Sequence, residues 1–191
     1  MMILYLHGFR SSPLSMKARL LGERMHVLGR EADWCCPQLP ASPAQAIDLC
    51  LALVADVPAA ELTIVGSSLG GYYATWLAER IGCKAALLNP ATTPMLNLEA
   101  HIGITTDYHT GAPFEFKPAY IDELHALAVP RITRPERYFL LAASGDEVLD
   151  YRNMVAQFAG ARQHVIDGSD HAIAEFADYV PEVLAFCGIV A

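Results

Sequence analysis

The sequence predicts an α/β fold: a mainly parallel sheet of about six strands with helices on both faces and a short lid-like insertion. Two observations carry this. Short apolar runs of β type alternate along the chain with longer stretches whose apolar residues recur every three or four positions, the signature of strands joined by helical crossovers. Hydrophobic residues make up 53% of the 191 positions and charged residues 18%, which suits a compact chain with both faces of its sheet covered. No composition break divides the chain, so one domain over 1–191 is expected.

Each element has a local reason. MILYL (2–6) is the first strand. Residues 15–28 place Met16, Leu20, Leu21, Met25 and Leu28 at mixed three- and four-residue steps before Gly29, an amphipathic helix with a stop signal. ADWCC (32–36) is a short second strand closed by Pro37. Ser42 and Pro43 then supply an N-cap and a first-turn proline for a helix over 44–57. ELTIVGS (61–67) is the third strand, 69–81 a helix, and CKAALLN (83–89) the fourth strand. RYFLLAAS (137–144) is the fifth, Asp150 caps a helix ending at Gly160, and RQHVI (162–166) is the sixth. The last helix spans 172–187, where Pro181 predicts a kink or a split. Right-handed crossovers make the sheet parallel, and sites in such sheets lie at the carboxyl ends of the strands. Residues 91–136 interrupt the alternation with several prolines, little strand character and one short helix around 119–128. A connection of that length is expected to act as a lid or a pocket wall.

The charge balance narrows the partners. A formal net charge of -8 repels nucleic acid and anionic membrane. Five cysteines (Cys35, Cys36, Cys50, Cys83, Cys187) form no CxxC pair and leave an odd count, so neither a disulfide framework nor a zinc site is suggested. The apolar start MMILYLHGF lacks a basic leader and a cleavage site, and reads as a strand rather than a signal peptide. No run approaches the roughly 20 apolar residues of a membrane span. A reducing cytoplasm is the expected address.

GSSLG fits the pattern GxSxG in one register, Gly66-Ser67-Ser68-Leu69-Gly70, which makes Ser68 the central residue. Between a strand and a helix this pattern builds a strained turn that presents a serine hydroxyl at a helix N-terminus, where negative charge is favoured. A serine hydroxyl needs a base, and the base needs a group to fix its tautomer. In α/β-hydrolases these follow in the order serine, acid, histidine, each just past a strand. Asp146 lies just beyond the fifth strand and His171 in the loop beyond the sixth. Glu147 and Asp150 compete with Asp146 less well, since Asp150 is better used as a helix cap. An oxyanion hole would take the Leu69 amide and, from the loop LHGFRSS, the Phe9 amide. His7 and Gly8 shape the turn of that loop, and His26, His101, His109, His125 and His164 are expected to be surface or hydrogen-bonded structural residues. No HExxH or similar spacing points to a metal.

These residues resemble the α/β-hydrolase fold and, more closely, the small YqiA/YcfP-type esterases. The resemblance is carried by YLHGF, SSP (11–13), PQLP (37–40), GSSLGGYYATWL (66–77), NPA (89–91), TG (110–111), GDEVLDYR (145–152) and His171, in order along nearly the whole chain. It implies a serine esterase of acyl esters or thioesters with nucleophile Ser68, acid Asp146 and base His171, and no metal or organic cofactor. Two positions depart from the pattern: Asp170, where a second glycine is expected, and Arg10, where a smaller polar residue is expected and an anionic substrate or solvent could meet the charge. Two other functions stay open. Arg131, Arg134 and Arg137 could serve the phosphates of an acyl-CoA for a thioesterase or acyltransferase, although a solvated face suits them better. A non-catalytic binding module on a hydrolase fold is the third reading. Acyl-chain length and oligomeric state are not encoded in these patterns.

Overall fold

The computed structural model describes residues 1–189. In chain order the elements are β1 (Met2–Leu6), α1 (Met16–Val27), β2 (Trp34–Cys35), α2 (Pro43–Leu53), β3 (Leu62–Ser67), α3 (Leu69–Ile81) and β4 (Lys84–Leu88). The insertion follows with α4 (Pro94–Leu98), β5 (Gly103–Thr106), β6 (Pro113–Phe116) and α5 (Ala119–Ala126). The chain closes with β7 (Tyr138–Ala143), α6 (Tyr151–Gln157), β8 (Arg162–Ile166) and α7 (Val180–Phe186). Six strands form one sheet in the order β2-β1-β3-β4-β7-β8, every pair parallel.

The period of two along the strands sorts side chains into two cores. Leu4 and Leu6 of β1, Ile64 of β3, Leu87 of β4 and Leu140 of β7 pack toward α2, α3, α5 and α6. Ile3, Tyr5, Val65, Leu88 and Leu141, their immediate neighbours in sequence, pack toward α1 and α7. A sheet buried on both faces explains why these strands read as continuous apolar runs. β1 has β2 on one side and β3 on the other, so the chain reverses its winding between β1 and β3. The loops after these two strands diverge there and open a crevice at the carboxyl edge.

Several local expectations change in detail. β2 shrinks to two residues because Glu31–Asp33 forms a 3-10 turn before it. Ser42 caps α2 by accepting the Gln45 amide at 3.2 Å, but the helix ends at Leu53. The segment 172–187 is not one helix: Phe176–Tyr179 is a 3-10 turn and Pro181 lies in the first turn of α7. A proline lacks the N–H that a first turn leaves unused, so it starts this helix instead of bending it. The insertion holds an antiparallel hairpin, β5 paired with β6, in a stretch that had shown little strand character. No helix among the described residues is long and apolar enough to cross a membrane.

Candidate active site

The turn from β3 into α3 is forced by small residues. Ser68 stands at φ 55°, ψ -121°, a left-handed conformation that costs a side-chain-bearing residue on the order of 1–3 kcal/mol. The turn closes because Gly66 and Gly70 have no Cβ: one added at Gly66 would overlap the Gly70 carbonyl, and one at Gly70 would overlap the Leu6 carbonyl of β1. Ser68 therefore projects from the carboxyl edge of the sheet, directly before α3. The other non-glycine residues with positive φ, Arg10, Asn89, Ser169 and Ile173, also lie in loops at this edge.

Two further loops bring their side chains to Ser68. His171 Nε2 is 3.0 Å from Ser68 Oγ, and His171 Nδ1 is 2.8 Å from Asp146 Oδ2. Asp146 has no exposed side-chain surface. Its other oxygen, Oδ1, accepts the Val148 and Leu149 amides at 2.9 and 2.8 Å. Burial alone would raise the Asp146 pKa; the His171 hydrogen bond and the two amides outweigh it and hold the carboxyl below its ordinary value. An ionised Asp146 keeps the proton of a neutral imidazole on Nδ1, which leaves Nε2 as an acceptor facing the Ser68 hydroxyl. Glu147 plays another part, accepting the His171 backbone amide at 3.0 Å. Asp150 caps α6 through the Arg152 amide.

Asn89, the first residue of NPA, has a wider role in the structure than its place in that motif signals. It is fully buried at the end of β4. Its Oδ1 accepts the Ala143 amide at 2.8 Å, and its Nδ2 donates to the Asp170 and His171 carbonyls, both at 3.1 Å. One side chain thus ties the end of β7 to the histidine loop. Only contacts distant in sequence reveal this; the local signal is an asparagine just past a strand.

A cavity of about 520 Å³ opens over Ser68 and His171. Phe9 and Leu69 lie in its wall, and a Cβ on Gly8 would come within 3.2 Å of the Ser68 Cβ, so the loop after β1 runs beside the serine. The Leu69 amide opens α3, where no intrahelical acceptor exists. Among the described residues neither the Phe9 nor the Leu69 amide donates to a backbone carbonyl. The insertion forms the far wall through Ala91, Pro94, Leu98, His101, Tyr108 and His109. His101 and His109 are thus not merely surface residues, and His101 also packs on the Phe9 ring at 5.6 Å. His7 is structural, its Nε2 accepting the Leu39 amide at 3.0 Å. His26 and His164 face Glu31 and Glu182 away from the cavity. Arg10 clasps the hairpin, donating to the Thr106 carbonyl at 2.8 Å and lying 4.3 Å from the Tyr108 ring centre.

A parallel sheet in this strand order, with a serine on a strained turn after an interior strand, defines an α/β-hydrolase fold. Solved structures share it. The α/β hydrolase domain-containing protein 10 from mouse aligns with a TM-score of 0.71 at 15% identity, covering 96% of this chain and 89% of that one. Est1E from Butyrivibrio proteoclasticus, solved with ferulic acid bound, aligns at 0.66 with 16% identity over 98% of this chain and 86% of that one. The esterase domain of a Rhodothermus marinus protein aligns at 0.63 with 20% identity over 95% and 83%. At such identities the likeness is one of fold. The chain belongs to the family described as "Uncharacterised protein family (UPF0227)", whose model matches residues 2–188, and it is of the YqiA type among α/β-hydrolases.

Proposed function

We propose that the protein is a serine esterase that hydrolyses carboxylic acyl esters through an acyl-enzyme. The observation that carries this reading is the chain of contacts from Asp146 through His171 to Ser68, 2.8 and 3.0 Å, with Ser68 and His171 lining a half-open cavity. His171 Nε2 takes the proton as Ser68 Oγ attacks the ester carbonyl, and Asp146 steadies the imidazolium that forms. The Phe9 and Leu69 amides receive the charge on the carbonyl oxygen; losing one such donor typically costs about 3–4 kcal/mol of transition-state stabilisation. His171 then returns the proton to the leaving alcohol, and a water molecule repeats the sequence on the acyl-Ser68 bond. No step calls for a metal or an organic cofactor.

The same groups would open a thioester. The oxygen-ester reading is preferred because Arg137, the most enclosed of the three arginines considered for acyl-CoA, pairs with Glu79 at 3.3 Å, and none of the three lines the cavity. A small ester is the partner this reading requires. Five free thiols suit a reducing compartment such as the cytoplasm.

Ser68→Ala is expected to lower kcat/KM on p-nitrophenyl butyrate by about a thousandfold or more while leaving thermal melting within a degree or two. A fluorophosphonate probe should label the wild-type peptide containing Ser68 and leave the variant unlabelled. Wild-type turnover by the variant would overturn the mechanism. An unlabelled wild-type protein would favour a binding module.

A further inference from the structure

The cavity holds a second polar group that acyl transfer does not use. Lys17, in the first turn of α1, is only 8% exposed and lines the cavity alongside Ser68 and His171. Among the described residues its ammonium makes no hydrogen bond and no ion pair. Buried charges are ordinarily paired, because an uncompensated one gives up its hydration for nothing in return. The countercharges felt at Lys17 are those of Asp170 and Asp146, and both carboxylates are engaged elsewhere. Asp146 serves His171 and two amides, and Asp170 Oδ1 accepts the Ala174 amide at 3.1 Å.

A second observation points the same way. Ser15 occupies the N-cap position of α1 but makes no capping bond, and its Oγ is buried without a partner. It lines the same cavity two residues before Lys17, as does Tyr5 of β1. Lys17, Ser15 and Tyr5 thus form a polar corner next to Ser68, in which the Tyr5 hydroxyl faces Ser15 and the Lys17 ammonium has no partner among the described residues. Phe9, Leu69, Leu98, Val148 and Leu149 give the cavity apolar wall, while Asn97, His101, Tyr108 and His109 add polar groups from the insertion.

We propose that Lys17, with Ser15 beside it, recognises a carboxylate carried by the substrate, so that the preferred ester is acidic: a half-ester of a dicarboxylic acid or an ester similarly armed with one carboxylate. This rests on the esterase reading of Ser68 and names the class of ester. A single ammonium near two acidic residues matches a monoanion, whereas a phosphate dianion calls for arginine forks or several converging donors. Burial pushes the Lys17 pKa down to about 8, which keeps the ammonium form dominant at neutral pH. The apolar walls take the methylene chain between the carboxylate and the scissile bond.

The test compares p-nitrophenyl hydrogen adipate with p-nitrophenyl hexanoate, matched in chain length, on wild type, Lys17→Met and Lys17→Arg. Wild type is expected to prefer the acidic ester in kcat/KM. Lys17→Met should lower the acidic-to-neutral ratio by about tenfold or more through KM, and Lys17→Arg should restore part of it. A ratio that moves less than twofold in Lys17→Met overturns the proposal, and a general loss of activity cannot imitate the shift because both esters share the chemistry. Calorimetric titration of monoethyl adipate into Ser68→Ala and Ser68→Ala/Lys17→Met reads the corner without turnover. Binding weakened about tenfold or more in the double variant supports it. Equal binding, or none by either protein, overturns it. Should wild type hydrolyse neither ester and refuse a fluorophosphonate, the esterase reading falls, and the titration alone decides Lys17.

Discussion

Asn89 shows how a residue outside the proposed trio of Ser68, Asp146 and His171 can hold that trio in place. Replacing it with alanine leaves the buried Ala143 amide and the His171 carbonyl without this partner, and leaves the Asp170 carbonyl with the Ile173 amide alone. Each buried polar group so stranded costs about 1–3 kcal/mol. Asn89 also holds φ 43°, which asparagine tolerates better than most residues. Asn89→Ala is therefore expected to lose about 2–4 kcal/mol in urea unfolding and to lower kcat on a butyrate ester by tenfold or more. Asn89→Asp keeps the acceptor for Ala143 and loses the donor to the histidine loop, so it should recover part of the stability and little of the kcat. Equal recovery of both would mean that the bonds to residues 170 and 171 do not position the imidazole. Ser68, Asp146 and His171 were legible because each follows a strand and carries recognisable chemistry. Asn89 and Lys17 were not, since asparagine past a strand and lysine on a helix are ordinary until the fold shows what they lack or bridge.

At the scale of elements, the core strands and most helices were legible because burial on both faces writes continuous apolar runs and burial on one face writes a helical period. The β5–β6 hairpin escaped for the opposite reason. GITT and PFEF are short and mostly exposed, so neither carries a buried alternation that pattern could detect. Tertiary docking holds them instead. The Phe9 ring meets Phe114 and Phe116 edge-on, both at 5.2 Å, and the Tyr108 amide donates to the Arg10 carbonyl at 2.8 Å. The loop that would supply an oxyanion donor and the hairpin that walls the cavity thus brace each other. Phe114→Ala removes one of the two rings while leaving fully buried Phe116 in place. It should cost about 1–2 kcal/mol of global stability, less than truncating a core aromatic. Limited proteolysis with mass spectrometry should show earlier cutting between residues 103 and 116 than in wild type, with the sheet strands still protected. Uniform cleavage across the chain would show that the hairpin is not a separately held unit.

For the molecule as a whole, Lys17 is a liability that the sheet and α1 must carry. The chain is acidic, -8 by formal count, yet it encloses a cation and leaves it unpaired. Burial lowers the Lys17 pKa from 10.5 to about 8. Between those values the unfolded chain binds a proton that the folded protein does not, so folding stability rises with pH across that window. Below pH 8 the cost of the buried charge is felt in full, on the order of 3 kcal/mol. Lys17→Met removes the charge and keeps an unbranched side chain of similar length. It is expected to melt several degrees above wild type at pH 7, since roughly 2–4 °C accompany each kcal/mol in a chain of this size. The gap should shrink as pH climbs from 8 toward 10.5, because only wild type gains stability there. Melting both proteins at pH 7, 8.5 and 10 isolates this residue, since every other titrating group is common to both and cancels in the difference. A gap that stays constant over that range would mean that the ammonium is already compensated within the fold. A stabilising substitution that also erases the preference for acidic esters would show a binding corner maintained at the expense of stability.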